Sequence, residues 1–145
     1  MRFSGTIYKD GKFWLAEIPI LDLITQGKTK KETYEMVADM LESLVNKEEF
    51  KVEVYKGKKK KFEVGSSEPK YMVSLLLQRK REHSGLSLSQ VAARLGMKSR
   101  NTYARYEQGR SVPSVEKLNE LLNAVSPQRD IVITESTLPL ANASS

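Results

Sequence analysis

GLSLSQVAARLGMKSRNTYARYEQG, residues 85–109, is the stretch that decides the fold of the second half of this chain. Ser87 and Gln90 have the spacing of a capping box, in which the two side chains satisfy free backbone N–H groups at the start of a helix. Gly96 ends that helix, because glycine readily adopts the left-handed conformation that follows a last helical turn. Ser99 is a suitable cap for a second helix. Two short helices joined by a tight turn are therefore predicted.

The second of these helices, over residues 100–108, carries side chains that can read DNA. Arg100, Asn101 and Arg105 are predicted to face outward, with the small Ala104 keeping the surface between them low. Arginine can bond two acceptors on guanine in the major groove, and asparagine can pair with both a donor and an acceptor on adenine. Arg100, Asn101 and Arg105 are therefore predicted to contact base edges.

Polar residues beside that helix are suited to holding phosphates. Lys98, Thr102 and Arg110 are placed to reach the DNA backbone, which sets position and affinity more than sequence choice. An ordinary exposed amphipathic helix is the alternative, and the charge distribution disfavours it. Residues 70–129 hold 11 basic and 4 acidic side chains, net +7, whereas residues 1–49 hold 7 and 9, net −2. The helical part is therefore the expected partner of an anionic polymer.

Further helices flank the central pair. Apolar residues at helical spacing predict a helix that ends near Gly85, and Pro113 and Ser114 mark the start of another. Residues 70–129 are thus predicted to form an all-α bundle. A polar linker at residues 66–69 separates this bundle from the preceding part of the chain.

The N-terminal part begins with the pattern of a β-hairpin. Two stretches of alternating apolar and polar residues flank Asp10 and Gly11, a dipeptide typical of hairpin turns. The residues that follow the second stretch, 20–27, are predicted to be an irregular connection.

A helix is predicted to begin at Thr29, which has the capping-box spacing to Glu32. Its apolar stripe consists of Met36, Val37, Met40, Leu41, Leu44 and Val45. Two more strands are predicted at residues 50–55 and 62–64. Residues 1–65 should therefore form a small ββαββ domain of the α+β class, with a largely antiparallel sheet of three or four strands and one helix on its face.

The last part of the chain, residues 130–145, is predicted to hold a short strand at Ile131, Val132 and Ile133. From Leu138 to Ser145 the chain is predicted to be loose.

Two charged features of the first half leave alternatives open. The four lysines at residues 58–61 could touch nucleic acid, although lysines at a hairpin more commonly form a solvated edge that blocks aggregation of sheets. Four acids could be imagined as a metal-dependent nuclease site, but nothing in their spacing demands it. These acids are Asp10, Glu17, Asp22 and Glu32.

The composition excludes several kinds of site. The chain has no cysteine and a single histidine, His83, so disulfides, thiolate chemistry and a zinc finger are not expected. We predict no metal, no cofactor and no catalytic residues. No apolar run approaches the roughly 20 residues of a membrane helix, and we expect a cytoplasmic protein without membrane contact.

The run from Leu77 to about Val125 resembles the lambda-repressor-like, Cro/C1-type helix-turn-helix family. The resemblance implies a compact bundle of five helices, or nearly so, that binds operator DNA as a dimer. It implies an internal ion pair between Arg81 and Glu107, and it puts the family's base-reading positions on Arg100, Asn101 and Arg105. The matching residues are Arg81, Gly85, Leu86, Ser87, Val91, Ala92, Leu95, Gly96, Thr102, Arg105, Tyr106, Glu107, Gly109, Pro113 and Ser114.

The first 50 residues resemble the HicB family of antitoxins. The features that carry this resemblance are the hairpin ending in Glu17, Ile18 and Pro19, the segment 25–29, and Glu32 leading a helix. The resemblance implies a degraded RNase-H-like sheet that has lost catalysis. It also implies a partner, a HicA-type toxin, which is a small basic ribonuclease of double-stranded-RNA-binding type. The mildly acidic first part of this chain suits such a partner.

Together the two resemblances imply the antitoxin of a type II toxin–antitoxin pair. Such a protein masks its toxin and represses its own operon, and it acts as a homodimer or a higher homo-oligomer rather than as an enzyme. The alternative is a stand-alone transcriptional regulator whose α+β domain senses a ligand or only dimerises.

Overall fold

The computed structural model of the protein describes residues 1–139. Contacts divide the chain into two compact units. The first, here the α+β unit, comprises Met1–Met72 and the segment that begins at Thr134, and the second, the helical unit, comprises Val73–Ile133. A linker was predicted at residues 66–69, but Pro69 is already the first residue of a helix that runs to His83, and the two units divide further on, between Met72 and Val73 of that helix.

The α+β unit contains one antiparallel sheet of five strands in the order β3-β2-β1-β5-β4. Its elements are β1 (Arg2–Asp10), β2 (Phe13–Ile18), β3 (Leu23–Gly27), α1 (Lys30–Val45), β4 (Glu53–Lys56) and β5 (Lys61–Gly65). The mixed α+β class is as predicted, but the sheet has one strand more than the ββαββ pattern.

The additional strand is β3, in the stretch predicted to be irregular. A 3-10 turn at Pro19–Leu21 and the left-handed Asp22 reverse the chain, so that Leu23–Gly27 pairs with β2. Burial alternates along β3, but of its more buried residues Leu23, Thr25 and Gly27 only Leu23 is large and apolar, while Ile24 is 54% exposed, so the sequence shows no apolar alternation.

Helix α1 packs on one face of the sheet. Thr29 caps it by accepting a hydrogen bond from the Glu32 backbone N–H, 3.0 Å from N to Oγ1. Val37 and Leu41 are completely buried, but Met36 is 41% exposed, so the apolar stripe is narrower than predicted. Under the helix the Phe62 ring lies against Gly5, where an added Cβ would be 2.3 Å from a ring carbon. Glycine is required there by this close approach.

The strand predicted at residues 50–55 begins later than expected, at Glu53, and is shorter. Phe50 lies outside β4, yet its side chain is only 1% exposed and meets the Tyr71 ring edge-on. The backbone N–H of Val52 donates to the Glu42 carboxylate, 2.8 Å away, rather than to a neighbouring strand. Phe50 is buried by the core and Val52 is half-buried, and neither belongs to a strand, so the apolar alternation of this segment resembled a strand without being one.

The helical unit has the predicted helices. They are α2 (Pro69–His83, which begins in the α+β unit), α3 (Leu88–Arg94), α4 (Arg100–Glu107) and α5 (Val115–Val125). Among the described residues the bundle therefore has four helices, against the five or nearly five that the family resemblance implies. Its core consists of Leu77, Val91, Ala92, Tyr103, Leu121 and Val125.

The segment after α5 corrects another prediction. Ile131, Val132 and Ile133 form no strand, and Val132 and Ile133 are 80% and 95% exposed. A strand needs a hydrogen-bonded neighbour, and the described residues supply none here. Further on, Arg2 Nη2 donates to the carbonyl of Pro139 over 3.2 Å, so the start of the predicted loose tail is held to the α+β unit. The rest of that tail, residues 140–145, lies outside the described residues.

Within residues 1–139, none of the helices has the length and apolar character that crossing a lipid bilayer requires.

Candidate functional site

Helices α3 and α4 form a hairpin whose ends are set by local hydrogen bonds. Ser87 and Gln90 make the full capping box at the start of α3, with N···O distances of 2.8 and 3.1 Å. At its end Gly96 has φ +69°, and Met97 N–H bonds back to the Ala92 carbonyl at 2.9 Å. This six-residue return is a Schellman motif, which needs a left-handed residue and therefore favours glycine. The turn then directs the chain into α4.

Helix α4 is capped in the same manner. Ser99 Oγ accepts from the Asn101 backbone N–H over 3.1 Å. Beyond the helix, Gly109 has φ +71°, and Arg110 N–H bonds back to the Arg105 carbonyl over 2.9 Å. Both ends of this eight-residue helix are thus fixed by contacts within a few residues.

The predicted base-reading residues share an exposed surface. Arg100 and Asn101 lie in the first turn of α4 and Arg105 in its second, and all three side chains are exposed. Ala104 was predicted to face outward with them, and this was wrong. It is 7% exposed, because it lies beside Tyr103 on the face that packs into the unit.

The residues predicted to hold phosphates, Lys98, Thr102 and Arg110, are exposed as well. Glu107 is the one acid between Gly96 and Val112. Its side chain is 9% exposed and lies against Arg81, so this segment presents basic groups without an exposed carboxylate. Such a surface attracts polyanions.

The ion pair that the resemblance implies is present and has good geometry. Arg81 Nε donates to Glu107 Oε2 over 2.7 Å, and Nη2 donates to Oε1 over 3.0 Å. Arg81 Nη1 also donates to the Leu86 carbonyl at 2.9 Å. The Arg81 side chain thereby links α2 by hydrogen bonds both to α4 and to the turn that precedes α3. The bonds to Glu107 raise the pKa of Arg81 further above its usual value, so the guanidinium stays charged.

One residue of the site was not predicted from the sequence. Ser111, in the loop after α4, accepts a hydrogen bond from Arg105 Nε at 3.4 Å. This long hydrogen bond places the Arg105 guanidinium beside the loop that follows α4. No motif signals it, because Ser111 reaches Arg105 only through the turn at Gly109.

Tyr103, on the inner face of α4, has an unusual hydroxyl. The side chain is completely buried, and its oxygen makes no hydrogen bond of normal geometry among the described residues, although the Glu107 carboxylate lies close enough to interact with it. Burial raises the pKa of this hydroxyl far above the usual tyrosine range, and the nearby Glu107 carboxylate raises it further. The hydroxyl therefore stays protonated, and no hydrogen bond of normal geometry offsets the free energy of its desolvation.

Tyr103→Phe is expected to raise the free energy of unfolding by about 1 kcal/mol, because it removes an unsatisfied buried polar group at nearly constant shape. Urea denaturation followed by circular dichroism measures the change. Tyr106→Phe serves as the control, since Tyr106 is only partly buried, and it should change little. A clear loss of stability in Tyr103→Phe would mean that the hydroxyl is bonded in solution.

The acids considered for a nuclease site are not gathered. Glu17 accepts a hydrogen bond from the Tyr8 hydroxyl at 2.7 Å on the open face of the sheet, while Glu32 lies in the first turn of α1. Within residues 1–139 no group of three or more histidine, aspartate or glutamate side chains is placed to hold a metal ion.

Comparison with known proteins agrees with the geometry of the helical unit. A family model described as a helix-turn-helix domain matches residues 73–126. No curated protein matches the chain. Residues 73–126 are therefore a helix-turn-helix DNA-binding domain, and the match leaves the α+β unit without an assignment.

Proposed function

We propose that this protein is an antitoxin and autorepressor, which binds operator DNA through its helix-turn-helix domain and a HicA-type ribonuclease toxin through its α+β unit. The exposed basic surface of α4, whose single neighbouring acid is withdrawn into a pair with Arg81, is the observation that carries the DNA-binding part. The protein acts as a binding protein, not as an enzyme.

In this proposal α4 enters the major groove. Arg100 and Asn101, at its N-terminal end, and Arg105, one turn further on, contact base edges. Lys98, Thr102 and Arg110 bind phosphates on either side of the groove. The exposure of all six side chains supports these roles, and so does the contact of Arg105 with Ser111.

The toxin-binding part rests on the HicB resemblance of residues 1–50 and on charge. That resemblance interprets the sheet as a degraded RNase-H-like fold without catalysis. Residues 1–49 carry 7 basic and 9 acidic side chains, and a mildly acidic surface complements a basic toxin. Masking the surface with which the toxin binds RNA would then abolish its cleavage.

One experiment tests the toxin-binding part of the proposal. The gene beside this one is co-expressed with it, and the purified product is assayed for RNA cleavage alone and with this protein added. We expect a small basic ribonuclease that co-purifies with this chain and is silent in the complex. DNA binding without any such partner would instead favour the stand-alone regulator.

A dimeric repressor should protect two half-sites in its own promoter. Their centres are expected about 10 base pairs apart, or a multiple of that spacing, because the symmetric dimer presents its two α4 helices to successive turns of one DNA face. DNase footprinting on the promoter fragment measures this. A single asymmetric half-site would contradict the dimer.

A further inference from the structure

The turn between β4 and β5 concentrates positive charge. The sequence KGKKKK, residues 56–61, joins the two strands, and the four lysines at residues 58–61 are all exposed. Among the described residues none of these four forms an ion pair with a carboxylate. Their mutual repulsion is therefore uncompensated within the described part of the chain.

This turn, here the lysine turn (residues 57–60), is ordered by backbone hydrogen bonds. Gly57 N–H donates to the Lys61 carbonyl at 2.9 Å, and Lys61 N–H donates to the Lys58 carbonyl at 3.3 Å. Ile7 N–H, on β1, donates to the Lys60 carbonyl at 2.7 Å, which extends the ladder into the turn. The backbone that carries these lysines is therefore held by hydrogen bonds, as in a regular turn.

Lys59 occupies a conformation that lysine disfavours. Its φ is +59°, in the left-handed region. The other non-glycine residues with positive φ are Asp22 and Asn46, whose short polar side chains tolerate that region, whereas a long side chain gains no such local bond. Glycine or asparagine would adopt this φ with less backbone strain, so lysine at this position lowers the free energy of unfolding.

Protection of a sheet edge does not account for these lysines. The edge strand on this side is β4, while Lys61 belongs to β5, which lies between β1 and β4. Lys56, the lysine on the edge strand, has its Nζ over the Tyr34 ring, 5.1 Å from the centroid. Lys58, Lys59 and Lys60 lie in the turn itself, where no strand edge is exposed for another chain to pair with.

We propose that Lys58, Lys59 and Lys60 bind the phosphate backbone of duplex DNA, as a second contact separate from α4. Ammonium groups suit phosphates as sequence-independent point charges. Duplex DNA is the favoured polyanion because the helix-turn-helix domain, covalently joined to this turn, raises the local concentration of DNA around it. The inference rests on the proposed function only in this choice of nucleic acid.

The test combines Lys58→Gln, Lys59→Gly and Lys60→Gln in the full chain. Its affinity for a random-sequence duplex several helical turns long is measured across a range of salt concentrations. Each lost phosphate contact lowers the slope of log affinity against log salt by about 0.9, so three lost contacts lower it by about 2.7. Because Lys59→Gly relieves an unfavourable φ, the melting temperature should equal or exceed that of the wild type, which separates binding from folding.

The matched control replaces three exposed lysines elsewhere in the α+β unit, Lys12, Lys28 and Lys31, with glutamine. It changes the net charge equally and should leave the slope nearly unchanged. An unchanged slope in the lysine-turn variant, an equal loss in the control, or a loss of affinity for single-stranded RNA but not for duplex DNA would each overturn the proposal. Random-sequence DNA requires no base readout, so these results do not depend on whether α4 recognises an operator.

Discussion

Glu107→Ala is expected to lower the unfolding free energy of the helical unit by about 3 kcal/mol, the lower end of the range for breaking a buried ion pair, since it leaves the Arg81 guanidinium with only the more exposed Glu82 carboxylate, 4.0 Å from Nη2, as counter-charge. The Arg81 and Glu107 side chains are only 15% and 9% exposed, so solvent screens the pair weakly. Both hydrogen bonds from the Arg81 guanidinium to the Glu107 carboxylate would be lost together. Hydrogen exchange of the α4 amides measures the opening of this unit separately from the rest of the chain.

An exposed pair provides the control for this prediction. Lys117 and Glu120 lie 3.1 Å apart on α5, with side chains 35% and 50% exposed. Glu120→Ala should therefore cost less than about 1 kcal/mol. The double variant Arg81→Met with Glu107→Leu should recover most of the loss, because it removes both buried charges. A similar small effect in Glu107→Ala and Glu120→Ala would show that the Arg81 pair does not fasten the unit.

Arg105→Ala is expected to weaken operator binding by about 1–3 kcal/mol per half-site and to relax the choice of base at one position of each half-site. The side chain is exposed, so the unfolding free energy should hardly change. Titration of the promoter duplex and of duplexes with single base changes measures both effects. Binding of the toxin should persist, because the proposal assigns it to the α+β unit.

Arg110→Ala is the companion variant. As a proposed phosphate contact, Arg110 should contribute equally to every DNA sequence and lower the salt slope by about 1. Loss of base discrimination in Arg110→Ala but not in Arg105→Ala would reverse the proposed roles. Simultaneous loss of DNA and toxin binding in Arg105→Ala would contradict the division of the two activities between the units.

The helices of the DNA-binding domain were predictable because their determinants are local. Ser87, Ser99 and Ser114 each accept a backbone N–H from two or three residues further on. The left-handed Gly96 and Gly109 end their helices by letting the next residues, Met97 and Arg110, donate to carbonyls five residues back. These capping hydrogen bonds join residues close together in the chain and do not depend on tertiary contacts, so the sequence alone predicts them.

The sequence predictions that were wrong concern residues whose conformation or burial depends on contacts with residues distant in the sequence. Phe50 alternates like a strand residue but fills a gap beside Tyr71. β3 is a strand only because β2 lies alongside it. Ala104 lies on the inner face of α4. A helix of eight residues spans only about two turns, which is too few for the sequence pattern to indicate which way a small side chain faces.

The amino-acid sequence by itself determined where the helices of residues 73–126 begin and end and where positive charge accumulates, because both depend on residues close together in the chain. The family resemblance already implied the pair of Arg81 and Glu107, 26 residues apart, but only the tertiary structure decided that this pair buries the Glu107 carboxylate, so that the surface proposed to contact DNA carries no exposed acid. It also decided that Lys59 is held with a positive φ between paired strands. Burial and strain depend on atoms that folding brings together from distant positions, and no local pattern records them.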